Sequence, residues 1–296
     1  MSIEDNLPLV SVAIITYNQK EYLKECIESV LEQDYPNIEI VVADDASKDG
    51  TQEMLKEYDN KYPGKFKLIL HKINQGITGN SQSALDSCSG KYITLIGGDD
   101  LLGEKNRITE QVQYLEVNNN VSLCGTYTKI IDNKGKLKRI QKDKYNKLNY
   151  NVCDLIKSGN SLLPVVSYIF RKKDIAHFDF RLPKASDSLF FYNIANKGAI
   201  YIIPQALSTY REHQSHAQSL GYLDDSLVSL ALSEYFFPKC LNSIRIARAN
   251  LYFNLGRKNR IINRKLSKIY YWTSLKINFK IKTVLALVLV ILGSKK

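Results

Sequence analysis

The sequence predicts an α/β fold in which a doubly wound, mostly parallel sheet is followed by a C-terminal helical basic extension. Two observations lead to this prediction. Short apolar runs alternate with amphipathic stretches over the first hundred residues, and the last part of the chain is helical in pattern and rich in Lys and Arg. A chain of 296 residues is long enough for one large domain with an appendage.

Four strands are predicted within the first hundred residues, and the first is the clearest apolar run. Val10 to Thr16 is uninterrupted, as expected for a strand that is covered on both faces. Asn18, with Glu21 three residues later, predicts a capping box at the start of the first helix. The predicted strands are 10–16, 38–43, 66–70 and 92–96, with helices after the first three, including 47–62 and 74–88. This β-α-β alternation is typical of a doubly wound sheet with right-handed crossovers.

The second half of the chain is less regular. Residues 121–150 predict a strand, a hairpin and an exposed loop, and 155–210 mix short strands with helices, including one from Leu189 to Lys197. From about Leu223 onward the pattern is helical. We therefore expect an α/β domain over 1–238 and a basic tail over 239–296.

The charge of the chain is unevenly distributed. Its net charge is +11, but residues 239–296 contain fourteen Lys or Arg and no Asp or Glu, which leaves 27 basic against 30 acidic residues in 1–238. The basicity thus belongs to the tail. Its basic and aromatic residues, together with the apolar run Val284 to Leu292, suit an interfacial anchor on an anionic leaflet. That run is too short to span a bilayer as a helix.

Two other interpretations of the tail exist. Basic patches that contain aromatic residues also suit nucleic acid, and a solvated helix on the main domain is the structural alternative. The terminal apolar run favours lipid, so we expect an anionic membrane partner and no nucleic acid.

The five cysteines are odd in number and widely spaced, at positions 26, 88, 124, 153 and 240. They predict neither a disulfide framework nor a zinc site. The acidic start of the chain lacks an apolar signal sequence. We therefore expect a cytoplasmic protein at the inner face of the plasma membrane.

Two carboxylate pairs follow predicted strands directly. Asp44–Asp45 ends the second strand, and Asp99–Asp100 follows the fourth. Ligands of open α/β sheets bind at the carboxyl ends of the strands, where gathered acids repel unless a cation joins them. Mg²⁺ or Mn²⁺, shared with a substrate diphosphate, suits these ligands. The alternative is that both pairs merely cap loops and helices.

Several nucleotide-binding classes are disfavoured. No G-x-G-x-x-G follows the first strand, and no G-x-x-x-x-G-K-[ST] occurs, which argues against a nicotinamide-binding domain and a P-loop enzyme. Gly97–Gly98–Asp99–Asp100 continues as Leu–Leu, and its parallel-sheet context does not suit the GGDEF signature of diguanylate cyclases.

Two long stretches carry a family resemblance. VSVAIITYNQKEYLKECIESVLEQDYPNIEIVVADDASKDGT (10–51) resembles the opening of family-2 glycosyltransferases, and NQGITGNSQSALDSCSGKYITLIGGDDLL (74–102) resembles their donor-site half. The similarity continues more faintly to about residue 217. It implies a GT-A fold and transfer of a sugar from a nucleotide sugar, as in bacterial surface-polysaccharide synthesis.

The resemblance also implies roles for individual residues. The implied nucleotide-sugar site comprises Thr16, Asn18, Asp44, Asp45, Asn74, Gly76, Asp99 and Arg211. Asp99 matches the second carboxylate of the family's D-x-D metal motif, whereas Gly97 replaces the first. Candidate metal ligands are therefore Asp99, Asp100 and His213, with His213 closing a Y-R-x-H motif.

A single carboxylate is implied as the catalytic base. Asp187 matches the acid of the family's Glu–Asp pair, with Ser186 in place of the glutamate, and an inverting transferase needs such a group to accept the proton of the acceptor hydroxyl. The alternative role of Asp187 is a helix N-cap.

The sequence thus predicts an inverting glycosyltransferase that uses a nucleotide sugar, UDP-sugar being favoured, and a glycan or lipid-linked acceptor. Two alternatives remain. One is a sugar-phosphate nucleotidyltransferase, although its Gly-rich basic loop is absent. The other is an inactive homologue that acts as an assembly scaffold, which the departures at Gly97 and Ser186 motivate.

Overall fold

The computed structural model describes residues 7–143, 145–159, 162–175, 177–178, 186–212 and 220–291. The strands are β1 (Val10–Thr16), β2 (Ile38–Asp44), β3 (Phe66–Leu70), β4 (Tyr92–Gly97), β5 (Val121–Ile131), β6 (Leu137–Gln141), β7 (Asn149–Tyr150), β8 (Ile169–Arg171) and β9 (Ala199–Arg211). The helices are α1 (Lys20–Leu31), α2 (Thr51–Lys61), α3 (Gly76–Ser87), α4 (Arg107–Val117), α5 (Val152–Ser158), α6 (Ser186–Ala195), α7 (Leu220–Phe236), α8 (Leu241–Ile262), α9 (Arg264–Ile277) and α10 (Ile281–Ile291).

The strands form one mixed sheet in the order β3-β2-β1-β4-β8-β5-β9-β7, with β6 paired to β5. The pairs β1–β2, β2–β3, β1–β4 and β5–β9 are parallel. The short strand β8 runs antiparallel between β4 and β5 and joins the two parallel parts. The predicted α/β class, with a mostly parallel sheet and C-terminal helices, is confirmed.

Helices cover both faces of the sheet, which explains the continuous apolar strands. Val12 and Ile14 of β1 pack with Leu23 of α1 in one core cluster. Ala13, between them, packs in a second cluster with Ala84 of α3 on the opposite face. Successive side chains of a strand point to opposite faces, so β1 must be apolar throughout.

The parallel strands end at one edge of the sheet. In the β1–β2 pairing Thr16 lies opposite Asp44, and in the β2–β3 pairing Asp44 lies opposite Leu70. On the other side of β1, Ile15 lies opposite Gly97 of β4. This register brings the loops that follow β1, β2 and β4 to the same place.

The predicted cap of α1 is wrong. The helix begins at Lys20 behind Gln19, and none of the described side chains caps it. Asn18 instead adopts a positive φ of 51° and accepts a hydrogen bond from the Lys48 backbone N–H through Oδ1, at 2.8 Å. The side chain is thus used to join two loops, which the local sequence pattern does not reveal.

The prediction of no disulfide is also wrong for one pair. Cys153 on α5 is bonded to Cys240, which lies in a short 3-10 helix before α8, with their Cα atoms 5.0 Å apart. Cys26, Cys88 and Cys124 are free and buried. The two bonded cysteines are 87 residues apart in sequence, so spacing gave no indication that the fold brings them together.

The C-terminal helices belong partly to the main body. Ile244 and Ala247 of α8 join the core cluster that contains α3, α5 and α6. Farther along, α9 and α10 pack on each other through a small cluster of Tyr271, Leu287 and Val290. The boundary between 238 and 239 stays a prediction. Among the described residues, no helix is long and apolar enough to cross a bilayer.

Candidate active site

Thr16, Asp44 and Asp45 come together where β1 and β2 end. The backbone N–H of Asp45 donates to the Thr16 carbonyl at 3.0 Å, and that of Gly98 donates to the Ile15 carbonyl at 2.8 Å. All three polar side chains are buried. The sheet edge therefore gathers the residues that the sequence placed at the ends of separate strands.

Asp44 is held through one of its carboxylate oxygens. Its Oδ2 accepts hydrogen bonds from the Ser47 N–H at 3.0 Å and from Gln52 Nε2 at 2.6 Å. Its Oδ1 is buried and has no hydrogen-bond partner among the described residues. A buried carboxylate oxygen without a donor is costly, so this atom is suited to accept a hydrogen bond from a ligand.

Three further buried polar atoms near Asp44 lack partners in the described part of the chain: Thr16 Oγ1, Asn80 Oδ1 and His71 Nε2. Asn80 is fixed by its amide nitrogen, which donates to the carbonyls of Ala43 and Thr16 at 3.0 and 3.4 Å. His71 directly follows β3, and its N–H donates to the Asp44 carbonyl at 3.0 Å. Four buried polar atoms at this sheet edge are thus available to form hydrogen bonds with a ligand.

Asn80 and His71 are residues that the sequence reasoning missed. Asn80 lies within α3, where Thr78, Ser81 and Gln82 are buried as well. A helix with so many buried polar side chains departs from the usual apolar stripe. This departure is visible in the sequence and could have indicated Asn80 as a candidate site residue.

Asp45 and Asn74 form the adjoining wall. Oδ1 of Asp45 accepts a hydrogen bond from the Gln75 N–H at 2.6 Å, and Nδ2 of Asn74 donates to the Asp45 carbonyl at 3.2 Å. Gly76 has a positive φ of 74°, and its N–H donates to Asn74 Oδ1 at 3.1 Å. This conformation favours glycine, so Gly76 shapes the loop and contributes no side chain to a ligand.

Asp99 and Asp100 are buried just beyond β4. Burial, and then the neighbouring Asp99 charge, raise the pKa of Asp100 well above its usual value, while Arg211 opposes both effects. The Arg211 N–H donates to Asp100 Oδ1 at 2.9 Å, and its Nε donates to the Asp99 carbonyl at 3.0 Å. A cation beside the two carboxylates would relieve their repulsion.

Arg211 lies at the acid pair, but its guanidinium already has protein partners. Besides the Asp99 carbonyl, it forms an ion pair with Glu25 of α1 and lies 5.0 Å from the Tyr22 ring centroid. The Arg211 side chain therefore has a structural role, because it links β9 to α1 and to the loop after β4.

The departure at Gly97 has a structural counterpart. A Cβ atom at position 97 would lie 2.5 Å from Asp99 Oδ1. The Asp99 carboxylate thus occupies the space that a side chain at 97 would need. Glycine at this position permits Asp99 to fold back over the end of β4.

The acid pair is suited to a divalent ion that substrate helps to hold. No group of three His, Cys, Asp or Glu side chains gathers as a metal site within the described residues, and His213 lies outside them. Mg²⁺ needs only one or two protein carboxylates when substrate phosphates supply other ligands, and Asp99 and Asp100 meet that requirement.

Asp187 is placed by a different element. It lies in the first turn of α6, half-buried, and its Oδ1 accepts a hydrogen bond from the Ser188 N–H at 2.8 Å. Burial raises the pKa of this carboxyl above its usual value. A carboxylate whose pKa is raised is a stronger base, which is the property that a general base requires.

This sheet, with helices on both faces, has the GT-A fold of glycosyltransferases. Residues 11–178 match the family described as Glycosyl transferase family 2, so the protein is a family 2 glycosyltransferase. An uncharacterized glycosyltransferase of Haemophilus influenzae is 30% identical over 286 residues, which is 90% of this chain and 87% of the relative. The uncharacterized protein Mb1547 of Mycobacterium bovis is 34% identical over 117 residues, which is 39% of this chain and 34% of that relative.

Solved structures show the same fold. S. aureus TarS 1-349, crystallised with UDP-GlcNAc, matches with a TM-score of 0.65 at 17% identity, covering 97% of this chain and 92% of that one. The mannosyltransferase PcManGT of Pyrobaculum calidifontis, in complex with GDP-Man and Mn²⁺, matches with a TM-score of 0.57 at 16% identity, covering 99% and 82%. At these identities the similarity concerns the fold.

Proposed function

We propose that this glycosyltransferase transfers a sugar from a UDP-sugar to a glycan or lipid-linked acceptor, with inversion at the anomeric carbon, in cell-surface polysaccharide synthesis. The observation that carries the donor site is the set of four buried polar atoms that lack partners among the described residues, of which Thr16 Oγ1 lies next to Gly98, the residue before the acid pair Asp99–Asp100. The acceptor class rests on the sequence resemblance to transferases of surface polysaccharides.

The hydrogen bonds that Asp44 already accepts favour uracil over guanine as the bound base. Because Oδ2 is already held by Ser47 and Gln52, Oδ1 is the carboxylate oxygen that has no partner among the described residues and can accept a hydrogen bond from a base. Uracil offers one N–H donor on its pairing edge, whereas guanine offers two adjacent donors that match both oxygens of a free carboxylate. Thr16 and Asn80 supply the remaining polar atoms of this wall.

The diphosphate is expected at the acid pair. Asp99 and Asp100 would hold Mg²⁺ or Mn²⁺, which when bound neutralises charge that develops on the leaving diphosphate. Arg211 fixes the backbone and carboxylate positions of this pair through its contacts with Asp100 and the Asp99 carbonyl.

Asp187 is the proposed general base. The acceptor hydroxyl oxygen attacks the anomeric carbon, the bond from that carbon to the diphosphate oxygen breaks, and the hydroxyl proton passes to the Asp187 carboxylate. The products are the glycosylated acceptor and UDP. The elevated pKa of Asp187 supports the proton transfer.

A panel of UDP-, GDP- and dTDP-sugars tests this function through release of the free nucleoside diphosphate, with Mn²⁺ and with chelator. We expect metal-dependent release from a UDP-sugar only. Release from GDP-sugars alone would overturn the assignment of the base site. Tight UDP binding without turnover on any sugar or acceptor extract would instead support the scaffold alternative.

We also propose that the enzyme works at the cytoplasmic face of the plasma membrane, held there peripherally by residues 239–296. The support is compositional, since this region carries fourteen basic residues and no acidic one. Release of the native protein from cell membranes by alkaline carbonate would support peripheral attachment, and retention would contradict it.

A further inference from the structure

The last helix, α10, is apolar on both of its faces. One face packs on α9 through Leu287 and Val290. The other face carries Ile281, Leu285 and Val288, which are 72%, 59% and 42% exposed. These three residues follow the i, i+4, i+7 spacing of a single helical stripe. A surface helix of a soluble domain would normally present polar residues there.

The outward face of α9 combines basic and apolar side chains. Lys265, Lys268 and Lys276 are exposed on this face, and Ile269 and Trp272 lie among them. Trp272, the single tryptophan of the chain, is 55% exposed. Lysines can extend their ammonium groups away from an apolar layer while their methylene stems remain in it, and tryptophan favours the same boundary.

We propose that these two faces form a docking surface for an anionic phospholipid bilayer, which we call the lipid face: Lys265, Lys268, Ile269, Trp272 and Lys276 of α9 with Ile281, Leu285 and Val288 of α10. The helix α10 lies in the interface, with its apolar stripe among the acyl chains and the lysines at the headgroups. The lipid face specifies the membrane partner of the proposed function. It depends on that function only for the cellular location.

The charge of the tail selects lipid over the other occupants. A second copy of the chain would bring the lysines of one lipid face against those of the other, because residues 239–296 contain no acid to pair with them. Nucleic acid would match the lysines but would leave the apolar stripe of α10 in water. An anionic bilayer satisfies both parts of the surface.

The dimensions of α10 fix the mode of contact. Its 11 residues extend about 16 Å, roughly half of a bilayer's hydrocarbon core. The helix is therefore long enough to lie in one leaflet interface and too short to cross both.

Trp272 gives a direct test on the full-length protein. Its fluorescence is recorded with vesicles of pure phosphatidylcholine and with vesicles of equal parts phosphatidylcholine and phosphatidylglycerol, over a salt series. We expect a blue shift with the anionic vesicles, quenching by brominated acyl chains, and weakening as salt rises. An unchanged spectrum with anionic vesicles, or a shift that depends on protein concentration without lipid, would overturn the proposal.

Two variants separate the two parts of the surface. Lys265→Gln/Lys268→Gln/Lys276→Gln should weaken binding to anionic vesicles on the order of a hundredfold, while Lys56→Gln/Lys65→Gln/Lys72→Gln, on the main domain, should change it far less. Leu285→Gln/Val288→Gln should abolish the salt-resistant part of binding, with Val117→Gln as the exposed apolar control.

Calorimetry of UDP with Mn²⁺ accompanies each variant and distinguishes this proposal from the proposed function. Variants that lose vesicle binding but keep UDP binding support the lipid face. Equal vesicle binding by all four variants would refute the lipid face even if the donor assignment holds.

Discussion

The sheet edge and the C-terminal helices differ in the kind of group that each leaves unsatisfied: polar atoms at the edge and apolar side chains on the helices. At the edge formed by β1, β2 and β4, buried polar atoms such as Asp44 Oδ1 lack partners within the described chain. On α9 and α10, apolar side chains such as Ile281 are exposed beside lysines. Buried polar atoms require a small ligand that brings hydrogen bonds, whereas exposed apolar ones require a surface that removes water.

This contrast implies that a substitution in one region should leave ligand binding by the other region unchanged. Donor chemistry and vesicle binding are then separate readouts of one chain. The following predictions would break or sharpen that separation.

The largest effect is expected at the base. Asp187→Asn should lower kcat by at least about a hundredfold, with UDP affinity and vesicle binding nearly intact, because the amide cannot accept the acceptor's proton. Steady-state kinetics with a responsive UDP-sugar measures it, and Glu57→Gln on the surface of α2 is the control. Near-normal turnover would place the base elsewhere.

The same residue sets a pH dependence. In the proposed mechanism only the carboxylate form of Asp187 is active, and burial raises its pKa above the usual aspartate value of about 3.9. Activity should therefore be lost as pH falls, starting at a higher pH than for an ordinary aspartate. The acidic limb of the kcat profile should disappear from the residual activity of Asp187→Asn, and an unchanged limb would assign it to another group.

Asp99→Ala should reduce Mn²⁺-dependent UDP affinity by about tenfold or more, because one buried carboxylate of the proposed ion site is lost. Calorimetry with UDP plus Mn²⁺, with GDP as a comparison ligand, measures it. The fold and the vesicle binding should survive, as far-ultraviolet circular dichroism and co-sedimentation would show. Undiminished metal-dependent binding would remove Asp99 from the site.

The disulfide joins α5 to the short 3-10 helix that precedes α8, so its loss is expected to lower stability without removing a residue of the candidate active site. Breaking the Cys153–Cys240 bond should lower the free energy of unfolding by about 2–4 kcal/mol, since it closes a long loop. Denaturant unfolding with and without reductant measures the change. Cys153→Ser/Cys240→Ser should be insensitive to reductant, and a wild type equally insensitive would contradict the prediction.

The smallest effect is expected at Asp44, the residue proposed to bind the nucleobase. Asp44→Asn should weaken UDP binding by roughly tenfold, the scale of one charged hydrogen bond, and narrow its preference over GDP. Competition between the two nucleotides measures the preference. A larger loss for GDP than for UDP would reverse the uracil assignment.

The sequence anticipated those parts of the site that lie at the ends of apolar strands. Asp44, Asp45, Asp99 and Asp100 could be placed because a parallel sheet aligns the carboxyl ends of its strands. Asn80 escaped notice, since it reaches the edge from inside α3 and is held by carbonyls of β1 and β2, contacts that only the packed fold creates.

The failed predictions share a physical cause. Asn18 looked like a cap because its type and spacing suit one, yet the loop after β2 offered its side chain a better-placed donor at Lys48. Cys153 and Cys240 looked unrelated until α5 and the start of α8 packed together. In each case a partner distant in sequence prevailed over the local pattern.

The three free cysteines limit what oxidation can do to the chain. Burial raises the pKa of Cys26 well above the usual thiol value and that of Cys88 to about 12, and Cys124 shifts the same way. At neutral pH these groups stay protonated and react slowly with oxidants or disulfides. Five cysteines allow ten different single crosslinks, but the folded chain is restricted to one, so its oxidised form should be a single covalent isomer.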